Sequence, residues 1–348
     1  MALQPRILQA FTKLGAFLRE FCEPNNSEKD FWSQKLDEAI IKAEQKNSWF
    51  TQDNILYALS SWGELLTTEQ IDNWLSNYTF NKTQKPKTVA IIMAGNIPLV
   101  GFHDFLSVLI SGHTVLAKLS SNDSIMLPFV AEFLVHTEPS LKEKIKFTHE
   151  KLDNFDAVIA TGSNNTSRYF DYYFGKYPNI IRRNRNSIAV LSGNETKEEL
   201  KALGKDVFQY FGLGCRSVSK LFVPKNYDLK YFYEAIFEYQ DVINIHKYAN
   251  NYDYNKAVFL MSEFKILDNN FLLLKEDDAY ASPIGTLYYE FYNTLASLNE
   301  KLHQDDSKLQ CIVGQSEISN SIPFGSTQNP SLNDYADGVD TLQFLLDL

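Results

Sequence analysis

The stretch GLGCRS, residues 212–217, carries the residue type best suited to nucleophilic chemistry. The thiol of Cys215 lies beside the positive charge of Arg216, which favours the reactive thiolate, and among glycines that let the backbone turn sharply. Most free cysteines are instead small buried hydrophobic side chains. Cys22, in a helical pattern, and Cys311, in the apolar stretch LQCIV, fit that alternative. Because Cys215 lies between two predicted α/β units, we interpret it as a nucleophile.

The turn AGNIP, residues 94–98, follows an apolar stretch and precedes a helical pattern. Ligands of open parallel sheets bind at the carboxyl ends of strands, which is where this turn lies. The side-chain amide of Asn96 could donate a hydrogen bond to a developing oxyanion, as acyl-transfer chemistry requires. Asparagine also suits turns for purely local reasons, so the residues alone leave both roles open. The turn does not carry the GxGxxG pattern of a standard dinucleotide site.

Two more turns at predicted strand ends carry candidate cofactor residues. Lys118 and Ser120 come about 20 residues after AGNIP, where dinucleotide folds contact the adenosine ribose. A lysine there could bind a 2′-phosphate, which indicates NADPH, although a strand-end lysine is otherwise an ordinary solvated residue. Gly162 and Ser163 follow the third predicted strand and precede a helix, whose N-terminal N–H groups could bind a phosphate. A simple helix N-cap has the same pattern.

Composition and spacing exclude several classes of protein. The net charge of -10 argues against a protein that neutralises a nucleic-acid backbone. We find no run of about 18 apolar residues that would span a membrane. The six histidines lack the spacing of metal ligands, so no metal site is predicted. Three widely separated cysteines and the lack of an export signal predict a cytoplasmic protein.

Alternating strand and helix patterns begin at residue 88 and predict a parallel, Rossmann-like α/β fold. The predicted strands are 88–93, 114–118, 156–160 and 187–191, followed after the cysteine loop by 219–223, 285–291 and 309–313. An earlier apolar stripe at helical spacing consists of Ile7, Phe11, Leu14, Leu18 and Phe21. This stripe predicts a helix packed on the body of the protein or on a partner subunit.

Taken in order, AGNIP, AKLSS, ATGS, GLGCRS and the closing SIPFGSTQNPSLNDYADGVDTLQFL resemble motifs of the aldehyde dehydrogenase superfamily. They are most similar to its LuxC-type acyl-CoA reductase branch, from roughly residue 88 to the end of the chain. The resemblance implies an aldehyde-dehydrogenase-like fold with a Rossmann-like NADP-binding domain and an α/β catalytic domain. The implied division is an N-terminal helical segment at 1–87, a cofactor domain at 88–212, a catalytic domain at 213–315 and a returning tail at 316–348.

The resemblance also implies roles for the candidate residues. Cys215 matches the nucleophile that takes the acyl group as an S-acyl enzyme, and Asn96 matches the asparagine that forms the oxyanion hole with the cysteine N–H. Lys118 and Ser120 match the segment that holds the adenosine ribose. The pair Gly162–Ser163 matches residues near the pyrophosphate and nicotinamide. The implied reaction reduces an acyl thioester to an aldehyde with NADPH, and NADH is the less favoured cofactor.

The sequence departs from the superfamily pattern at two places, one that bears on the predicted reaction and one that bears on cofactor binding. Hydrolytic members carry a glutamate that activates water, but the corresponding stretch here is IIRRNRNS, with Arg182 near that position. Without a general base the S-acyl enzyme is not hydrolysed efficiently, which suits a reductase. The segment whose glutamate holds the nicotinamide ribose corresponds to DAYASP, where Asp278 and Tyr280 are out of register.

We therefore predict an NADPH-dependent reductase that acts on acyl-CoA or another acyl thioester. The predicted partners are the acyl donor and an acyl-transferring or acyl-activating protein, without nucleic acid, and the chain is expected to form a homo-oligomer. Two alternatives stay open. One is an acyl-phosphate reductase with the same cysteine chemistry, and the other is a catalytically silent binding subunit that keeps the fold.

Overall fold

The computed structural model describes residues 3–23, 30–80, 85–315 and 317–348. Their contacts form two compact units. The first unit contains the described residues up to Arg183 together with Ser331–Leu348, and the second contains Asn184–Pro330. The division into four domains, with boundaries after residues 87, 212 and 315, stays a prediction.

Among the described residues, four helices open the first unit. They are α1 (Leu3–Cys22), α2 (Phe31–Lys46), α3 (Gln52–Leu65) and α4 (Thr68–Leu75). The side chains of Asp30, Thr51 and Thr67 accept N–H groups that the starts of α2, α3 and α4 would otherwise leave unpaired. The predicted apolar stripe of α1 lies in the core of this unit, from Ile7 at one end to Leu18 at the other. This burial confirms the prediction that the helix packs on the body of the protein.

The first unit also contains a five-stranded sheet that is parallel throughout. Its strands are β1 (Thr88–Ile92), β2 (Thr114–Lys118), β3 (Ile145–Thr148), β4 (Ala157–Thr161) and β5 (Asn179–Arg182). The connecting helices are α5 (Phe102–Ile110), α6 (Met126–Thr137) and α7 (Asn164–Phe174). The strand order is β3-β2-β1-β4-β5, so the direction of winding reverses between β1 and β4. In such sheets ligands bind at the carboxyl ends of the two strands that flank the reversal.

The second unit is built on a seven-stranded sheet with the order β12-β11-β6-β7-β10-β9-β8. Its strands are β6 (Asn186–Val190), β7 (Val218–Pro224), β8 (Ile266–Asp268), β9 (Leu273–Glu276), β10 (Thr286–Tyr292), β11 (Leu309–Val313) and β12 (Ser321–Ile322). The helices are α8 (Lys197–Phe208), α9 (Leu229–Ala235), α10 (His246–Met261) and α11 (Leu295–Gln304). Each described strand pairs in parallel with its neighbour except β8, which is antiparallel to β9. Mixed α/β architecture with parallel sheets is therefore confirmed.

One predicted strand lies in a different sheet from the one expected. The strand predicted at 187–191 was expected to continue the first sheet, but β6 pairs with β7 and β11 in the second. The place next to β4 in the first sheet is taken by β5, which was not predicted because half of its four positions are partly exposed. The four positions of β6 that follow Asn186 are buried, as expected for a central strand with neighbours on both sides.

The C-terminal segment returns to the first unit and ends in α12 (Thr341–Leu346), which lies against α5. Leu342 and Leu345 of this helix join the core of the unit. The His113 ring links the segment to the sheet, because Nδ1 accepts the Lys87 N–H at 3.1 Å and Nε2 donates to the Leu345 carbonyl at 2.8 Å. Burial lowers the pKa of His113, which keeps the ring in the neutral form that these two hydrogen bonds require.

Candidate active site

The five predicted residues of the first unit lie at one edge of its sheet. Asn96 follows β1, Lys118 ends β2 and Ser120 comes just after it. Gly162 and Ser163 follow β4. All five are therefore at the carboxyl ends of parallel strands, around the point where the strand order reverses. The structure therefore places all five at one edge of the sheet, while their roles toward a cofactor or substrate stay predictions.

The turn that carries Asn96 is packed against the turn that carries Ser120. A Cβ atom added at Gly95 would lie 2.4 Å from the Ser120 Oγ and 2.5 Å from its Cβ, so a side chain does not fit there. The Ser120 hydroxyl accepts the N–H of Asn122 at 3.3 Å. Ser120 therefore supports the turn next to Asn96, in addition to its predicted place in the cofactor site.

Asp123 is a further support of the Asn96 turn that the sequence did not reveal. Its Oδ2 accepts the N–H of Leu99 at 2.9 Å. Leu99 has a φ of 57°, a left-handed conformation that a leucine rarely adopts without a constraint. Asp123 is only 8% exposed, and burial raises its pKa to about 6. In the sequence Asp123 ends the stretch SSND, residues 120–123, and an acidic residue there is common in turns for local reasons.

The raised pKa of Asp123 predicts a specific pH dependence of stability. The folded carboxyl binds a proton below about pH 6, whereas the unfolded carboxyl does so only near 3.8. The free energy of unfolding therefore rises through this group as the pH falls from 7 to 4. Asp123→Asn keeps an oxygen acceptor for Leu99 and removes the charge. At pH 7 we expect the variant to be more stable than the wild type by up to about 3 kcal/mol, with the difference nearly gone at pH 4.

Urea denaturation of both proteins between pH 4 and 8 measures this difference. Comparing the two proteins at each pH cancels other titrating groups, including His113, whose lowered pKa acts in the opposite direction below pH 6.5. A stability difference that is the same at every pH would contradict this account of Asp123.

Ser163 is the N-cap of α7, because its Oγ accepts the Thr166 N–H at 3.2 Å. Ser163 therefore has the role of a simple helix N-cap, which the sequence left open. A Cβ atom at Gly162 would approach the Phe170 ring to 2.9 Å, so a side chain there would displace its neighbours. The start of this 11-residue helix still directs its N–H dipoles toward the edge of the sheet where the other candidates lie.

Cys215 lies in the second unit and is exposed. The loop before it is strained, because Tyr210 and Phe211 have φ values of 55° and 58° and Gly212 has a φ of 77°. Two adjacent non-glycine residues in the left-handed region cost of order 1–3 kcal/mol each and persist where surrounding contacts enforce them. Such strain concentrates at functional sites. The sharp turn predicted from the glycines of GLGCRS is present at Gly212. The left-handed conformations of Tyr210 and Phe211 were not predicted, because such residues rarely adopt them.

Hydrogen bonds hold the cysteine loop on both sides. The Ser187 Oγ donates to the Cys215 carbonyl at 2.9 Å. The Arg216 guanidinium lies 3.4 Å from the Thr327 carbonyl and 3.4 Å from the Cys311 sulfur. Arg216 thus connects the cysteine loop to the closing segment of the second unit.

The closing segment, residues 325–328, is itself fixed by Asp206 of α8. The Asp206 carboxylate accepts the Gly325 N–H at 2.6 Å, and it accepts the Thr327 N–H at 3.0 Å and hydroxyl at 2.9 Å. Asp206 is fully buried, and burial raises its pKa while these hydrogen bonds oppose the rise. Next to Thr327, Gln328 donates from its amide to the Ser217 hydroxyl at 3.3 Å. The closing motif therefore supports the loop of the predicted nucleophile.

Arg182, which the resemblance places near the hydrolytic glutamate, forms a buried ion pair. Its guanidinium donates to both carboxylate oxygens of Asp104, at 2.5 and 2.8 Å, and to the Thr341 hydroxyl at 2.9 Å. The neighbouring Arg183 pairs with Asp171 at 3.0 Å on the surface. The stretch IIRRNRNS contains no carboxylate, and its arginine at this position has a structural partner.

Both residues of the DAYASP segment that the sequence singled out, Asp278 and Tyr280, form hydrogen bonds within the second unit. The Asp278 carbonyl accepts from the buried Lys220 ammonium at 2.8 Å, and the Tyr280 hydroxyl donates to Asp305 at 2.7 Å.

In the described ranges, no group of three or more His, Cys, Asp or Glu residues could hold a metal ion. A helix with the length and apolarity needed to cross a membrane is also not found among the described residues.

A family model described as acyl-CoA reductase (LuxC) matches residues 27–244. The match spans more than half of the 348 residues and includes both Asn96 and Cys215. The chain belongs to the LuxC acyl-CoA reductase family. No curated protein matches it significantly.

Solved structures similar to this LuxC-family chain include aldehyde dehydrogenases and an enzyme described as NADP dependent. Aldehyde dehydrogenase 21 from Physcomitrella patens, in complex with succinate, has 10% identity and a TM-score of 0.66 over 100% of this chain and 84% of that one. A mutant aldehyde dehydrogenase C from Pseudomonas syringae, with NAD+ and octanal, has 10% identity and a TM-score of 0.63, covering 90% and 72%. An NADP dependent enzyme from E. coli has 12% identity and a TM-score of 0.58, covering 90% and 80%. These likenesses confirm the aldehyde-dehydrogenase-like fold.

The carboxyl edge of the five-stranded sheet fits a nicotinamide dinucleotide in its donor chemistry. Lys118 offers a half-buried ammonium at the end of β2, and α7 offers N–H groups and the Ser163 hydroxyl after β4. Cations and helix N-termini are the groups that phosphates require. Gly162 lets the end of β4 pack closely against α7, because a Cβ atom there would meet Phe170 and Thr166.

Proposed function

We propose that this LuxC-family chain is an NADPH-dependent acyl-CoA reductase that acts through Cys215. The observation that carries the proposal is an exposed cysteine on a strained loop whose carbonyl is fixed by a buried hydroxyl. Family membership and an aldehyde-dehydrogenase-like fold support oxidoreductase chemistry on aldehydes and acyl groups.

The reaction begins with acyl transfer to the cysteine. The Cys215 thiolate attacks the thioester carbonyl, and the side-chain amide of Asn96 donates a hydrogen bond to the oxyanion. The CoA thiolate leaves, takes up a proton and departs as free CoA, which gives an S-acyl enzyme. A bound nicotinamide cofactor supplies the hydride that converts the S-acyl carbonyl to an aldehyde. The Cys215 thiolate is the leaving group of that second step.

The surroundings of Arg182 support reduction over hydrolysis. Deacylation by water needs a general base within reach of the S-acyl carbonyl. A guanidinium cannot act as that base at neutral pH, and this one is paired with Asp104. The S-acyl enzyme therefore lasts long enough to be reduced or to return its acyl group to a thiol.

We propose NADPH as the cofactor, with NADH as the weaker alternative. Lys118 and Ser120 would hold the adenosine ribose, where an ammonium favours a 2′-phosphate over a free hydroxyl. Gly162 and Ser163 would hold the pyrophosphate and nicotinamide side through the start of α7. We further propose a cytoplasmic homo-oligomer that takes acyl groups from CoA or from an acyl-transferring or acyl-activating partner protein.

An NADPH-oxidation assay with acyl-CoA substrates of increasing chain length tests the proposed function, with NADH measured in parallel. We expect oxidation that depends on acyl-CoA and is faster with NADPH than with NADH at equal concentration. Acyl phosphates serve as competing substrates, and a preference for them would replace the proposal with an acyl-phosphate reductase. A protein without oxidation of either cofactor and without cofactor binding would instead be a silent binding subunit.

A further inference from the structure

Ser187 lies where both sheet ladders of β6 are irregular. On one side, Asn186 pairs with Leu309 and Ile188 pairs with Ile312, so two β11 residues oppose the single residue Ser187. On the other side, Ser187 pairs with Val218 and Ile188 pairs with Lys220, so β7 also has one extra residue. Bulges of this kind leave backbone groups without their regular ladder partners and occur next to active sites.

The Ser187 hydroxyl replaces the lost ladder contact and extends it to the cysteine loop. It accepts the Cys311 N–H of the bulged strand at 3.1 Å and donates to the Cys215 carbonyl at 2.9 Å. Ser187 is fully buried, its hydrogen bond with the Cys311 N–H is buried, and its hydrogen bond with the Cys215 carbonyl is partly buried. A buried hydroxyl that lost these partners would be costly. One hydroxyl therefore fixes the carbonyl of the predicted nucleophile to the centre of the sheet.

We propose that Ser187 is the positioning residue of Cys215. With the carbonyl held inward, the negative end of that peptide dipole points away from the solvent side, where Cys215 is exposed. The hydroxyl thereby orients the thiol and favours its thiolate. It also supplies a contact that the strained stretch before Cys215 needs to keep its conformation. The consequence for acyl transfer rests on the proposed function, whereas the orientation of the thiol does not.

Ser219 offers a matched control on the adjacent strand. Its hydroxyl donates to the Tyr280 carbonyl at 2.8 Å and lies 3.3 Å from the Ser187 carbonyl. Ser219→Ala therefore removes a hydroxyl from the same bulge without removing the contact to the cysteine loop. Ser187→Ala removes that contact, and Ser187→Cys removes the strong donor while nearly keeping the side-chain volume.

Two rates are measured for the wild type and the three variants. The first is alkylation of Cys215 by iodoacetamide at pH 7 and pH 9.5, located by peptide mass spectrometry. Cys22 interferes little, since burial raises its pKa to about 11. The second rate is single-turnover S-acylation by saturating acyl-CoA without cofactor. Saturation separates a change in the chemical step from a change in substrate binding.

We expect both Ser187 variants to lower S-acylation about tenfold or more, because small displacements of a nucleophile are costly. Their alkylation at pH 7, relative to pH 9.5, is expected to fall about threefold as the thiolate loses support. Ser219→Ala is expected to stay within about twofold of the wild type in both rates. Equal losses in the Ser187 variants and in Ser219→Ala would overturn the proposal. A wild type that is not acylated at all would refute the proposed function, and the alkylation ratio would still decide the role of Ser187.

Discussion

Cys215→Ala is expected to lower acyl-CoA-dependent NADPH oxidation by at least about 10³-fold. The substitution removes the atom that accepts the acyl group, and the remaining binding and oxyanion contacts cannot replace a covalent step. Steady-state oxidation at saturating acyl-CoA measures the loss as a fall in kcat. Because Cys215 is exposed, its replacement by alanine is expected to leave thermal stability close to that of the wild type.

Cys22→Ala is the matched control for this experiment. Cys22 lies on α1 in the other unit and has the same chemical change on substitution. Its activity is expected to remain within about twofold of the wild type, since the residue has no place in the proposed site. Retention of more than a few per cent of the activity in Cys215→Ala would exclude the cysteine as the nucleophile.

Arg182→Met is expected to lower the free energy of unfolding by about 3–5 kcal/mol. The ion pair with Asp104 is buried, with side-chain exposures of 6% and 7%. Removing the guanidinium leaves a buried carboxylate without its charge partner and also removes a donor to Thr341 of α12. Urea denaturation of the full chain measures the change.

Arg183→Met, one residue along the chain, is the control. Its pair with Asp171 is exposed, at 63% and 46%, so its loss is expected to cost less than about 1 kcal/mol. Combining Arg182→Met with Asp104→Leu is expected to recover most of the loss, because no buried charge then remains unpaired. Equal effects of Arg182→Met and Arg183→Met would show that the buried pair is not the source of stability described here.

The sequence was sufficient for elements whose pattern is local. The apolar stripe of α1 and the strands β1 and β2 follow from residue spacing, and the candidate residues after β1, β2 and β4 follow from the rule that ligands bind at carboxyl ends of parallel strands. The sheet to which β6 belongs did not follow. An apolar strand is compatible with either sheet, and the choice depends on pairing with β7 and β11, which come later in the chain.

The hydrogen bonds that hold the loops of the candidate site could not be predicted from local sequence patterns either. Ser187 and Cys311 are 124 residues apart, and Asp206 and Thr327 are 121 residues apart. A serine at the start of a strand and an aspartate within a helix are ordinary residues until the fold brings their partners to them. The contacts of such residues are set by the tertiary structure, so a single sequence points to a candidate nucleophile more readily than to the side chains that surround it.

Intact-mass spectrometry of the wild-type protein with acyl-CoA and no cofactor tests the central claim most directly. The account predicts a mass increase of one acyl group, located on the peptide that contains Cys215, absent in Cys215→Ala and discharged as aldehyde when NADPH is added. No mass increase, an acyl group on another residue, or an acyl group that NADPH does not release as aldehyde would contradict the account.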